Sequence, residues 1–255
     1  MKLFSQEFGQ GFPLVILHGL LGSLDNWHSL GRRFAEHFRV FTPDQRNHGR
    51  SPHSHEFNYR VMAQDLLEFL ESVRVSETFL IGHSMGGKTA MTFALTNPSM
   101  VRKLVVVDIS PRAYPARHDE ILEALSDLDL KQFKTRKQVD EALSQRISSS
   151  AVRQFLMKNL KRDDSNAFDW KMNLEVIRRH HDEMNSAITS DRPFHGKTLF
   201  VRSSRSDYVR DNDLPLIRSL FPDVKVADVD VGHWIHAEAP DRFYKIVLDF
   251  LFEPS

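Results

Sequence analysis

Thr78-Phe79-Leu80-Ile81-Gly82-His83-Ser84-Met85-Gly86-Gly87-Lys88 is the stretch on which the fold of this chain turns. Its first four residues suit a buried strand, and Lys88 to Ala94 reads as a helix. Between them stands a serine with a glycine two residues to either side. A strand that turns sharply into a helix holds such a serine in a strained conformation, and the glycines let backbone approach where a Cβ would clash. A serine so placed lies in the positive field of the helix, beside N–H groups that have no intrahelical acceptor and can receive a developing oxyanion. Ser84 is therefore the candidate nucleophile, and the Met85 N–H the first candidate oxyanion donor.

Outward from this turn, short apolar runs alternate with amphipathic stretches, the pattern of a mostly parallel α/β sheet. Strands are expected at Leu14 to Leu17, Arg39 to Thr42, Thr78 to Ile81, Leu104 to Asp108, Thr198 to Arg202 and Val224 to Val229, each rich in Val, Ile, Leu or Phe. Asn58 to Val73 and Arg242 to Phe252 carry the spacing of helices that pack on the sheet. The rhythm breaks after Pro111. From there to Arg192 no strand pattern stands out, whereas His118 to Leu128, Arg136 to Ile147, Ala151 to Leu160 and Phe168 to Ile188 have helical periodicity. The expected organisation is a core of residues 1–111 and 191–255 with an all-helical insertion over residues 112–190, entered and left near prolines.

Thirteen histidines make any single one weak as a signal, so position must choose. His233 follows the last expected strand in the turn Asp230-Val231-Gly232-His233, ahead of the final helix. That agrees with the chain order serine, acid, histidine found with this kind of turn, and a base there could take the Ser84 proton and return it to a leaving group. His236 is expected on a solvated face, and His83 is expected to point away from Ser84. His180 and His181 lack the spacing of a metal site; no metal and no cofactor is expected.

Thirty-four basic residues balance 34 acidic ones, which removes the electrostatic reason to expect nucleic acid or an anionic membrane surface as partner. The chain has no cysteine, so disulfides and a thiol nucleophile are excluded. Phe12 to Gly22 is apolar but interrupted by Pro13 and His18, and no run approaches the roughly 18 apolar residues of a membrane span. The expected setting is cytoplasmic, with a small molecule as partner.

Five segments together carry a family resemblance: His18-Gly19-Leu20-Leu21-Gly22-Ser23 followed by Asn26; Asp44-x-Arg46-Asn47-His48-Gly49-x-Ser51; the elbow around Ser84; Val107-Asp108-Ile109-Ser110-Pro111; and Gly232-His233-Trp234-Ile235-His236-Ala237. Over nearly its whole length the chain resembles the α/β-hydrolases, and within them the YbfF-type esterases. The resemblance implies an eight-stranded, mostly parallel sheet with a helical cap inserted after strand six. It also implies hydrolysis of esters or thioesters of short to medium acyl chains, acyl-CoA among the options, through an acyl-enzyme on Ser84. Leu20, the residue after His18-Gly19, is then the second oxyanion donor.

The acid of the triad remains open between two residues. In most α/β-hydrolases it follows strand seven, but there this chain reads Arg205-Ser206-Asp207-Tyr208-Val209, so Ser206 stands at the usual place and Asp207 is displaced by one. Asp108 ends an apolar strand, where an ionised carboxylate is costly without a partner such as an imidazole N–H, and YbfF-type esterases use that position. Asp108 is preferred and Asp207 is the alternative. The Asp44 to Ser51 segment is expected to shape a loop by side-chain to backbone bonds. Phe155, Leu156, Phe168 and Trp170 are expected either to wall an acyl pocket or to pack within the insertion. Two other functions fit the same residues: lyase-type proton transfer on this scaffold, and ligand binding by a hydrolase-like protein.

Overall fold

The computed structural model describes residues 1–115 and 118–254. Seven strands form its main sheet: β1 (Ser5–Phe8), β2 (Pro13–Leu17), β3 (Arg39–Pro43), β4 (Thr78–His83), β5 (Val101–Val107), β8 (Lys197–Ser203) and β9 (Val224–Val229). Their spatial order is β1-β3-β2-β4-β5-β8-β9. Only β1 runs antiparallel, against β3; the other pairings are parallel. All six expected strands are present. Among the described residues the main sheet has seven strands rather than the eight implied by the resemblance, and β1 precedes β2 in the chain.

The central strands β2, β4, β5 and β8 carry continuous apolar runs because helices cover both faces, whereas the edge strand β9 alternates, with Lys225 exposed. On one face Ile16, Ile81, Val105 and Val201 pack with α1 (His28–Phe34) and α11 (Pro240–Phe252) through Phe34, Phe243 and Val247. On the other Val15, Leu80, Val106 and Phe200 pack against α2 (Tyr59–Ser72) and α3 (Met85–Thr96) through Leu66, Met91 and Phe93. Alternate residues of one strand thus feed opposite cores. Asn58 caps α2, its side chain accepting the Val61 N–H at 3.0 Å. No helix among the described residues is long and apolar enough to cross a membrane.

Between β5 and β8 the chain leaves the sheet. It forms α4 (Asp119–Ser126), α5 (Arg136–Ser144), α6 (Ser150–Met157), α7 (Leu174–Arg179) and α8 (His181–Asn185). Between α6 and α7 lies an antiparallel ribbon, β6 (Leu160–Arg162) with β7 (Phe168–Trp170). The expectation of helices alone, and of one helix from Phe168 to Ile188, is corrected here. The ribbon buries Leu160, Phe168 and Trp170 on one side and exposes Lys161 and Asp169 on the other, a period-2 pattern too short to stand out in sequence. Among the remaining elements, α9 (Leu214–Leu220) links β8 to β9, and α10 (Ile235–Glu238) precedes α11.

The stems of this excursion are tied to each other and to the core. The Tyr114 N–H donates to the Asn185 carbonyl at 2.8 Å and the Ile188 N–H to the Pro111 carbonyl at 2.7 Å. Lys88, buried in α3, donates from Nζ to the Arg112 carbonyl at 2.9 Å and to the Ser186 carbonyl. Its ammonium lies 4.8 Å from the centre of the Tyr114 ring. Burial, with the Arg112 charge adding to it, lowers the Lys88 pKa to about 7.

Candidate active site

β4 delivers Ser84 at φ 53° and ψ −119°, a conformation that non-glycine residues avoid. The turn needs its glycines: a Cβ on Gly82 would lie 2.2 Å from the Gly86 carbonyl oxygen, and one on Gly86 2.5 Å from that of His18. The Ser84 N–H is fixed to the Val107 carbonyl at 3.0 Å, so the end of β5 holds the elbow. Met85 opens α3, and its N–H has no helical acceptor.

Asp108 leaves β5 in the left-handed region, at φ 48°, and its side chain is fully buried. One carboxylate oxygen accepts the Ser203 N–H at 2.8 Å. The other accepts the Ser206 hydroxyl at 2.6 Å and faces His233 Nδ1 at 2.8 Å. Three donors therefore satisfy a charge that would otherwise be costly to bury. With Nδ1 carrying the proton toward the carboxylate, Nε2 is left as an acceptor. Of the two candidate acids, Asp108 is the one bonded to His233. Asp207 lies at the surface, where its carboxylate accepts from Arg210 at 2.8 Å. Ser206, at the usual place of the acid, is the hydroxyl partner of the acid on the neighbouring strand.

Tyr208, which sequence reasoning passed over, stacks on the His233 ring with centroids 4.0 Å apart and planes 19° apart. His83 does turn from Ser84, its Nε2 lying 3.1 Å from the His233 carbonyl oxygen. Burial first, then the neighbouring His236 and His233, push its pKa well below the usual histidine range. His236 is buried, not solvated as expected. It stacks on Trp27 at 4.2 Å and 13°, and burial lowers its pKa to about 3. Trp27 and His236 lie 209 positions apart in sequence numbering, so no local pattern announced the contact.

Leu20 follows β2 at the carboxyl edge of the sheet. Its N–H makes no hydrogen bond among the described residues. The next N–H, of Leu21, donates to His48 Nε2 at 3.2 Å, and His48 Nδ1 lies 2.9 Å from the Arg46 carbonyl. His18 Nε2 accepts the Gln45 N–H at 2.9 Å. Asp44 accepts the Leu24 and Arg50 N–H groups at 2.7 and 2.8 Å. The Asp44 to Ser51 loop thus holds the segment that carries Leu20. Burial lowers the pKa of His48 to about 3, so it accepts the Leu21 N–H as a neutral ring.

Two cavities reach Ser84 and Leu20. The larger, about 600 Å³, is lined by Trp27, Ile121, Val152, Phe155, Leu156, His233 and Trp234 among others. The smaller, about 360 Å³, is lined by Tyr59, Met85, Ile109, Tyr114, Met184, Asn185 and Tyr208 among others. Phe155 and Leu156 are wall residues, whereas Phe168 and Trp170 pack inside the insertion. Ser84 and His233 share the larger cavity; no hydrogen bond joins their side chains among the described residues. Catalytic contacts of this kind commonly close only around substrate.

A serine on a strained strand-to-helix turn, at the carboxyl edge of a parallel sheet and beside a carboxylate-bound histidine, defines a nucleophile-elbow protein. The chain belongs to the alpha/beta hydrolase fold family, whose pattern matches residues 13–240. It is 38% identical over 252 residues to an sn-1-specific diacylglycerol lipase ABHD11 of Danio rerio, covering 95% of this chain and 79% of that protein. It is 32% identical to Esterase YbfF of Escherichia coli strain K12, covering 94% and 92% of the two chains. A solved structure described as a marine microorganism esterase superposes with a TM-score of 0.96 at 42% identity, covering 98% of this chain and 99% of the other.

Proposed function

We propose that this chain is a carboxylic-ester hydrolase that works through an acyl-enzyme on Ser84, with His233 as base and Asp108 as acid. The observation that carries the reading is the 2.8 Å bond between His233 Nδ1 and a fully buried Asp108 carboxylate, in the cavity that also holds Ser84. His233 Nε2 takes the Ser84 proton as Oγ attacks the substrate carbonyl. The Leu20 and Met85 N–H groups receive the oxyanion, a contribution worth about 3 kcal/mol per donor. His233 then protonates the leaving oxygen or sulfur, and water repeats the sequence to release the acid. Esters are the primary substrates in this reading, with thioesters accessible to the same chemistry. The names of the relatives, a lipase and two esterases, support it. The division into a core of residues 1–111 and 191–255 and a cap of residues 112–190 belongs to the same reading, since the insertion supplies Ile121, Val152, Phe155 and Leu156 to the cavity.

A fluorophosphonate probe should label the wild-type protein and fail to label a folded Ser84→Ala variant, as read by intact-protein mass spectrometry. Absence of label on folded wild-type protein would sink the reading in favour of ligand binding. Labelling without turnover of any simple ester would point to lyase-type chemistry.

A further inference from the structure

We infer, resting on the hydrolase reading above, that the long apolar arm of the preferred substrate is the alcohol, and that the acyl group is the short arm. Two cavities meet at Ser84, and the place of His233 decides which takes which arm. During acylation the bond from Ser84 Oγ to the carbonyl carbon forms and the bond from that carbon to the alkyl oxygen breaks. The proton taken from Oγ is passed by His233 Nε2 to the departing oxygen. That oxygen must therefore lie within hydrogen-bond reach of Nε2, about 2.6–3.2 Å.

His233 lines the larger cavity and is absent from the lining of the smaller one. Tyr208, a wall of the smaller cavity, lies flat against the imidazole at 4.0 Å. The proton-delivering histidine is thus open to the larger cavity and screened from the smaller. The leaving group occupies the larger cavity, whose walls include Trp27, Ile121, Val152, Phe155, Leu156 and Trp234. Apolar surface of this kind rewards each added methylene. The acyl group turns into the smaller cavity, where Met184 is buried and the Tyr59 hydroxyl is tied to the Met184 carbonyl at 2.7 Å. Beside the apolar Leu20, Met85, Ile109 and Met184, four of its walls, Tyr59, Tyr114, Tyr208 and Asn185, carry polar groups, and its volume of about 360 Å³ against about 600 Å³ suits a short chain better than a long one.

Octyl acetate and ethyl octanoate test this directly, because they are isomers with the long arm on opposite sides of the ester. Octyl acetate should show a kcat/KM at least tenfold higher. Val152→Trp, which fills the larger cavity, should lower kcat/KM for octyl acetate more than for ethyl acetate. Met184→Ala, which opens the smaller one, should raise turnover of ethyl octanoate. Equal rates for the two isomers, or faster hydrolysis of ethyl octanoate by the wild-type protein, would overturn the assignment while leaving the hydrolase reading intact. Turnover of neither isomer by protein that a fluorophosphonate labels at Ser84 would also overturn it. Failure of the label itself would instead remove the reading on which it rests.

Discussion

At Asp108 three donors converge on one buried carboxylate, and two of them, Ser203 and Ser206, come from the end of β8 and the loop after it. The candidate acid thus stands just past the end of β5, while the end of β8 and the loop after it supply two of its hydrogen bonds. Asp108→Asn should lower kcat by roughly 10³–10⁴ with little change in KM, because the carboxylate fixes the imidazole tautomer and does not contact substrate. Asp207→Asn, at an exposed ion pair with Arg210, should change kcat by less than about twofold. A larger loss from Asp207→Asn in the same steady-state assay would reverse the assignment. Ser206 also offers a rescue: its hydroxyl lies 2.6 Å from the Asp108 oxygen that faces His233. Asp108→Asn combined with Ser206→Asp should therefore recover at least tenfold of the activity lost in Asp108→Asn alone. At this scale Ser84, His233 and the pairing of Asp108 were legible from motifs and strand ends. Tyr208 was not, since its contact with His233 depends on how two loops distant in sequence meet.

At the scale of elements, the Asp44 to Ser51 loop acts on the β2–α1 connection that carries Leu20. His48 Nε2 accepts the Leu21 N–H inside the protein, so removing the ring leaves a buried donor unpaired, at a cost of about 1–3 kcal/mol. His48→Ala should lower kcat tenfold or more while melting a few degrees earlier. His48→Asn, whose amide oxygen is an acceptor, should recover part of both losses. A fall in melting temperature with kcat unchanged would show that the loop supports the fold without aligning the oxyanion site. The central parallel strands were readable because burial on both faces leaves continuous apolar runs, and the edge strand β9 by its alternating valines. β1, half-exposed and reading Ser5-Gln6-Glu7-Phe8, offers no such run. β6 and β7 have three residues each and carry charges on their outer side, so the helical periodicity around them hid the ribbon.

For the whole molecule, the buried neutral histidines set a pH dependence. His48 and His236 have pKa values lowered to about 3, below the unfolded value of about 6.5. The unfolded chain therefore binds more protons than the native one between those limits. The contribution of these two groups is complete above pH 6.5 and falls as the pH drops toward 3, by up to about 1.4 kcal/mol per pH unit for each group. Lys88 works in the same direction at higher pH. With a native pKa of about 7 against about 10.4 unfolded, its burial penalty fades as the pH rises between those values. Urea unfolding followed at pH 5, 7 and 9 should give increasing midpoints, and Lys88→Met should flatten the segment from pH 7 to 9. A flat profile in the wild-type protein would contradict the neutral burial of these groups.

β5 and β8 are hydrogen-bonded neighbours, and the excursion between them begins and ends on stems that bond to each other, Ile188 to Pro111 and Tyr114 to Asn185. The chain therefore leaves and rejoins the sheet at almost the same point. Because the stems close on each other, a change of length between them need not shift the register of β5 against β8. Changes at the segment's cavity-facing residues Ile121, Val152 and Phe155 reshape the larger cavity, whereas Tyr114 and Asn159 of the same segment hold the Tyr208 and Leu21 carbonyls. Selectivity can therefore vary along this stretch while those two anchors keep the loops around Ser84 in place.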